Sequence, residues 1–156
     1  MITAIIVGAG HRALIYAGYA LKAPDELRIV GVADPSPERR ALAAQRFGLT
    51  AEQCFESAEE LAARPKLADA VINGTMDRQH VPTTLPLLER GYDVLLEKPF
   101  AVSEQELRRL EQTVRRTGRR VMICHVLRYA PFYAELKRRV LAGEIGDIVT
   151  LETAEH

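Results

Sequence analysis

Apolar positions along this chain fall into short unbroken runs, separated by stretches in which they recur every three or four residues. The runs Ile2–Val7, Leu27–Ala33, Ala68–Asn73 and Asp93–Leu96 have the length and continuity of strands buried on both faces, and Gln53–Phe55 and Arg120–Cys124 are shorter strand candidates. The periodic stretches between them predict helices. Leu14, Ala17 and Leu21 share one face, Leu42, Ala43 and Phe47 a second, and a short helix surrounds Leu61. Val81, Thr84, Leu85 and Leu88, then Leu107, Leu110 and Val114, mark two more.

Helix ends carry their own chemistry. Ser36 reads as an N-cap with Pro37 at the first helical position and Gly48 as the stop. Ser57 with Glu60, and Ser103 with Glu106, read as capping boxes, while Gly91 and Gly118 close the helices before them. Six rounds of strand and helix, with no Ser- or Gly-rich linker, repeat or low-complexity stretch, predict an α/β domain over residues 1–124 built on a doubly wound parallel sheet. Past Cys124 the pattern changes. A segment from His125 to Pro131 leads into a helix carrying Phe132, Leu136 and Val140, stopped near Gly143, and Gly146–Thr153 reads as one more strand with no partner left in the chain. Residues 125–156 are therefore expected to be a connecting helix and the first strand of a truncated second domain, whose remainder is missing after residue 156.

Length and composition narrow the picture without deciding it. A chain of 156 residues holds one domain with a real core and hardly two. Its 21 basic and 21 acidic side chains cancel and form no long single-sign block, so charge gives no reason to expect nucleic acid or an anionic membrane as a partner. The pairs Arg108-Arg109, Arg115-Arg116 and Arg119-Arg120 read as a solvated helix face and its exit. Cys54 and Cys124 are far apart and in no metal-type spacing, which suits buried or idle thiols in a reducing compartment; a disulfide between them is the other reading. The first strand begins at Ile2, leaving no room for a signal peptide, and no apolar run approaches the roughly 18 residues of a membrane span. The expected location is the cytoplasm.

Candidate chemistry gathers at the strand ends. Gly8-Ala9-Gly10-His11-Arg12-Ala13 is a G-x-G-x-x-A turn between a strand and a helix, the arrangement of a dinucleotide fingerprint in a Rossmann fold. Gly8 would allow the sharp turn, Gly10 would leave room for a pyrophosphate, and Ala13 would let helix and strand pack closely. Asp34 closes the second strand about twenty residues on, where a carboxylate accepts ribose hydroxyls. Gly74–His80 and Glu97-Lys98-Pro99 also follow strand ends, and in a doubly wound sheet such loops converge on one crevice. An ammonium at Lys98 could hydrogen-bond a carbinol oxygen and stabilise developing alkoxide charge. No cluster has metal-ligand spacing, so no metal is expected.

Taken in order, the fingerprint, the acidic end of the second strand, the His80 loop, Glu97-Lys98-Pro99 and Arg128-Tyr129-x-Pro131 resemble the N-terminal domain of the Gfo/Idh/MocA oxidoreductases over essentially the whole chain. The resemblance implies a Rossmann domain followed by a mostly antiparallel sheet domain, NAD or NADP as cofactor, and hydride transfer to or from a sugar, polyol or related carbinol. By it, Gly8, Gly10, His11, Arg12 and Ala13 line the pyrophosphate and Asp34 takes the adenosine ribose. Thr75 and His80 lie near the nicotinamide half, and Lys98 is the catalytic residue contacting nicotinamide ribose and the reacting hydroxyl. Glu97 and Pro99 complete the cofactor-binding set, Glu97 as a support for Lys98 and Pro99 after a cis bond. Arg128 is either a cofactor contact or an anchor between domains. Met76-Asp77 departs from the Pro-Asn frequent in the family.

NAD is expected over NADP, because the Asp34 carboxylate would repel a 2′-phosphate; Arg39 and Arg40, in the following helix, are the side chains that would oppose this. The isolated chain is expected to bind NAD without turnover, and a homo-oligomer is a possible assembly. Two other classes compete: a non-catalytic NAD-binding sensor or regulatory module, and a methyltransferase, against which Glu97-Lys98-Pro99 argues.

Overall fold

The computed structural model describes residues 1–154; Glu155 and His156, the end of the segment expected to begin a second domain, lie outside the described residues. The chain divides after Cys124 into two compact units.

In the first unit six parallel strands form one sheet among the described residues, ordered β3-β2-β1-β4-β5-β6. They are β1 (Ile2–Val7), β2 (Leu27–Ala33), β3 (Cys54–Phe55), β4 (Ala70–Asn73), β5 (Asp93–Leu96) and β6 (Val121–Ile123). The helices are α1 (His11–Ala17), α2 (Tyr19–Lys22), α3 (Pro37–Phe47), α4 (Ala58–Ala63), α5 (His80–Glu89) and α6 (Glu104–Thr117). β1, β2 and β5 coincide with the apolar runs, while β3, β4 and β6 are each shorter than their runs by one or two residues at an end. In place of the first residue of the β3 run, a 3-10 turn, Ala51–Gln53, leads into the strand.

Alternate side chains of β1 feed the two layers. Ala4 and Ile6 pack with Ala13, Leu14 and Ala17 of α1, Ala20 of α2 and Ala43 of α3. Ile5 and Val7 pack with Leu61 of α4, Leu87 of α5 and Tyr92. Farther along the sheet Val94 and Leu96 meet Val81, Leu88 and Leu110. Helix ends follow the expected signals: Ser36, Ser57 and Ser103 each accept from the backbone N–H three residues on, and Gly48 and Gly118 close their helices in the left-handed conformation. The reciprocal carboxylates of Glu60 and Glu106 accept from the residue before the cap, Glu56 and Val102, rather than from the cap itself.

Three expected core positions are displaced. Leu21 is 56% exposed because the helix is interrupted at Gly18 and Ala20 takes the inner place; Leu42 is 54% exposed beside the buried Ala43, and Leu107 is exposed beside the buried Leu110. In each case the small or better-centred neighbour faces a closely packed sheet and the bulkier leucine slides to the rim.

In the second unit a 3-10 turn, Val126–Tyr129, precedes α7 (Pro131–Leu141), whose Arg138 and Arg139 pair with Glu135. The expected strand over Gly146–Thr153 is not formed. The apolar run is there, but a strand exists only where a neighbour supplies its ladder of hydrogen bonds, and no strand of the described residues pairs with it.

Candidate functional site

The functional loops start where the strand ladder runs past the strands themselves. Gly8 N–H donates to Ala33 O (2.8 Å), Gly74 N–H to Val7 O (2.9 Å), Glu97 N–H to Asn73 O (2.9 Å) and Cys124 N–H to Leu96 O (2.9 Å). Each loop is thereby fixed at its first residue to the neighbouring strand. Strand order then sets Asp34, the glycine turn, Thr75 and Lys98 side by side across β2, β1, β4 and β5, where the winding of the sheet reverses. They open on one cleft of about 620 Å³, lined among others by Gly8, Gly10, His11, Arg12, Asp34, Thr75, His80, Glu97 and Lys98.

Gly8 is required by both torsion and space. Its φ is +76°, and a Cβ there would lie 2.7 Å from Thr75 N. Gly10 has a different use. A Cβ on it would meet nothing nearer than Gly74 O at 4.0 Å, so the space it keeps free belongs to the cleft and not to protein packing. Ala13, expected against the pyrophosphate, is instead fully buried and does not line the cleft. It packs against Gly74, where an added Cβ would stand 2.8 Å from that of Ala13. The pair lets α1 approach the end of β4, and Gly74 was not singled out from the sequence although a glycine directly after an apolar strand was the signal.

Asp34, 2% exposed, is held from two sides: Oδ2 accepts from Ala9 N (2.7 Å) and Oδ1 from Ser36 N (2.8 Å). The carboxylate thus braces the glycine turn at the wall of the cleft. Arg40 donates to the backbone oxygens of Asp34 (2.6 Å) and Pro35 (3.2 Å). Arg39 stays exposed at the cleft, 3.9 Å from Asp34 Oδ2.

Asn73, buried at the last position of β4, organises the next loop. Its Nδ2 donates to Thr83 Oγ1 and Thr84 Oγ1 (both 2.9 Å), and its Oδ1 accepts from Thr75 N (3.2 Å) and Thr75 Oγ1 (2.8 Å). His80 is also buried. Its Nδ1 lies 2.6 Å from Pro99 O and its Nε2 2.9 Å from Thr75 O, so the ring bridges the β4 and β5 loops and both nitrogens already face protein carbonyls. What His80 presents to the cleft is therefore the ring itself, not a free hydrogen-bonding nitrogen.

At the end of β5 the Lys98–Pro99 bond is cis and the Lys98 side chain is exposed at the cleft, whereas Pro99 does not line it. Glu97 is buried and fully engaged: Tyr16 OH donates to Oε1, and Lys98 N–H donates to Oε2 at 2.7 Å. Burial and the Glu97 hydrogen bond both push the Tyr16 phenol well above its ordinary pKa. The Cys124 thiol is pushed up to about 11 by burial and by the Glu97 charge, with the Tyr16 phenol pulling the other way. Neither Tyr16 nor Cys124 was legible as a partner of Glu97, since they are 81 and 27 positions away and no local pattern links them. A check follows from the thiol. Because its pKa is raised, thiolate at Cys124 accumulates only as pH climbs toward about 11, so iodoacetamide mapped by peptide mass should leave Cys124 unmodified at neutral pH. Ready alkylation at neutral pH would contradict the burial and charge assigned to it.

Arg128 lies in the second unit, exposed on the 3-10 turn. No group of His, Cys, Asp and Glu that could hold a metal occurs among the described residues.

Residues 2–125 match the family profile described as Oxidoreductase family, NAD-binding Rossmann fold. This chain belongs to the Gfo/Idh/MocA family. It is 35% identical over 153 residues to inositol 2-dehydrogenase 4 of Saccharopolyspora erythraea, covering 97% of this chain and 44% of that protein. It is 30% identical over 141 residues to the scyllo-inositol 2-dehydrogenase (NAD(+)) of Bacillus subtilis, covering 90% and 40%. The fold is also that of the crystal structure of myo-inositol 2-dehydrogenase from Lactobacillus plantarum, with a TM-score of 0.86 at 19% identity, covering 95% and 43%. The Gfo/Idh/MocA chain described here spans less than half the length of these relatives. Among its described residues no helix is long and apolar enough to cross a membrane.

Proposed function

We propose that this chain is the cofactor-binding part of an NAD-dependent oxidoreductase that moves a hydride between nicotinamide and the carbinol carbon of a sugar or polyol. The observation that carries this reading is the single cleft in which a braced carboxylate, an open glycine turn and an exposed lysine follow one another across β2, β1 and β5. Adjacent strands stand about 4.8 Å apart, so these loops span a distance suited to an extended ligand with two different ends. The adenosine ribose hydroxyls would be accepted by Asp34, and the pyrophosphate would lie against the turn where Gly10 keeps space. Thr75 and the His80 ring would then border the nicotinamide end, beside Lys98.

A bound nicotinamide supplies the hydride acceptor or donor. Lys98 would hold the substrate oxygen and stabilise its alkoxide charge, which forms as hydride reaches the carbonyl carbon in the reduction and from which hydride leaves in the oxidation, the hydroxyl proton being exchanged with the Lys98 amine. Glu97 takes a supporting part, accepting from the Tyr16 phenol and from the Lys98 amide. The names of the inositol dehydrogenases among the relatives favour a cyclic polyol as the substrate class. The free thiols Cys54 and Cys124 suit a reducing compartment such as the cytoplasm.

Titration calorimetry with NAD tests the reading, and the absence of binding would remove it. Comparison with NADP sharpens it. Arg40 is committed to backbone oxygens and only the exposed Arg39 is placed to offset the Asp34 charge, so NAD should bind at least about tenfold more tightly, roughly 1.4 kcal/mol. Asp34→Asn should narrow that gap; equal or tighter binding of NADP by the unaltered chain would reverse the assignment.

A further inference from the structure

We propose that Tyr16 is a positioning residue for Lys98, acting through Glu97 and tying the helix of the glycine turn to the loop that carries the lysine. The phenol donates to Glu97 Oε1, and the other carboxyl oxygen, Oε2, accepts the Lys98 backbone N–H at 2.7 Å. A carboxyl group turns about its own axis when only one oxygen is held. Held at both, it fixes the amide at Lys98 and with it the origin of the lysine side chain. The elements joined are distant in sequence: Tyr16 stands in α1, directly after the turn of Gly8 and Gly10, whereas Glu97 and Lys98 follow β5.

Cys124, buried directly after β6, has its thiol raised by burial and by the Glu97 charge. Apolar packing alone would explain a phenylalanine at position 16 equally well. It does not explain a phenol proton delivered to a buried carboxyl that in turn holds the neighbouring residue's amide. On the reading that the glycine turn receives a nucleotide, the link has a second consequence. Whatever steadies α1 also steadies Lys98, and by reciprocity a fixed Lys98 loop favours the nucleotide-bound turn.

Amide hydrogen exchange, followed residue by residue by NMR on the chain and on Tyr16→Phe, Glu97→Gln and the double variant, tests the proposal without requiring turnover. In Tyr16→Phe the Lys98 amide should exchange about tenfold faster, the effect of losing one charge-assisted hydrogen bond, while amides in β1 and β4 keep their protection. The double variant should be no worse at Lys98 than Glu97→Gln alone, because the phenol acts only through the carboxyl. Saturating NAD should add protection at Lys98 in the unaltered chain and not in Tyr16→Phe. Unchanged exchange at Lys98 in Tyr16→Phe would overturn the proposal, and so would a rise shared equally by β1 and β4, which would make the phenol a general stability element. If NAD fails to bind the unaltered chain, the functional reading above falls, yet the comparison without nucleotide still decides the role of Tyr16.

Discussion

Replacing Lys98 by alanine is expected to lower kcat by about 10²- to 10³-fold in a form of the protein that turns over a polyol, while NAD affinity changes by no more than about threefold. The asymmetry follows from where the ammonium acts. The proposed contact is to the alkoxide charge that develops on the reacting oxygen, so its loss raises the barrier by roughly 3–4 kcal/mol without an equal loss of ground-state binding. Nucleotide affinity rests on other groups, the Asp34 carboxylate and the glycine turn, at the ends of β2 and β1. The measurement is steady-state kinetics paired with calorimetric titration of the same variant. A variant that keeps near-normal kcat would take Lys98 out of the mechanism.

The second large effect is expected at Gly8. Alanine there carries two separate penalties: a φ of +76° that L side chains rarely adopt, costing about 1–2 kcal/mol, and a Cβ placed 2.7 Å from Thr75 N and 2.8 Å from Thr75 Cα. Neither neighbouring atom can swing aside, because Thr75 is itself held by Asn73 and Gly74 is hydrogen-bonded to Val7. Adding an overpacking cost of about 1–3 kcal/mol puts the total at roughly 2–5 kcal/mol, a large share of the stability of an ordinary domain. Urea denaturation should show the fall in midpoint, and calorimetry should show nucleotide binding weakened or lost. Gly10→Ala should differ, with stability almost intact and only nucleotide binding impaired, since its Cβ would enter open cleft. Equal destabilisation by the two substitutions would refute this division of roles.

Those two glycines also illustrate what could be read in advance. The G-x-G-x-x-A spacing identifies the turn, and Asp34 at the end of the second apolar run identifies its partner, because both signals are local and repeat the physics of a strand passing into a helix. Which glycine serves packing and which serves the ligand depends on what lies opposite, and the opposing residues, Thr75 and Gly74, come from another strand. Ala13 shows the same limit. Its use in close packing of helix and strand was legible, but its partner Gly74 was not, and the resemblance placed it against the pyrophosphate instead. His80 was legible as a polar residue opening a helix near the cleft, while its bridge between Thr75 O and Pro99 O depends on two loops meeting in space.

By itself, then, the sequence determined the order and type of the elements, the capping residues of α3, α4 and α6, the parallel sheet, and the strand ends at which Gly8, Asp34, Thr75 and Lys98 stand. Each of these follows from interactions between residues close in the chain, or from the rule that apolar runs joined by helices wind into one sheet. Only the tertiary structure decided that Ala20 rather than Leu21 faces the core, that Leu42 lies exposed beside the buried Ala43, that Gly146–Thr153 forms no strand, and that Tyr16 donates to Glu97. Periodicity names a helical face only to within a residue, a strand needs a neighbour that its own residues cannot provide, and a buried carboxyl takes its partners from whatever the fold brings within reach.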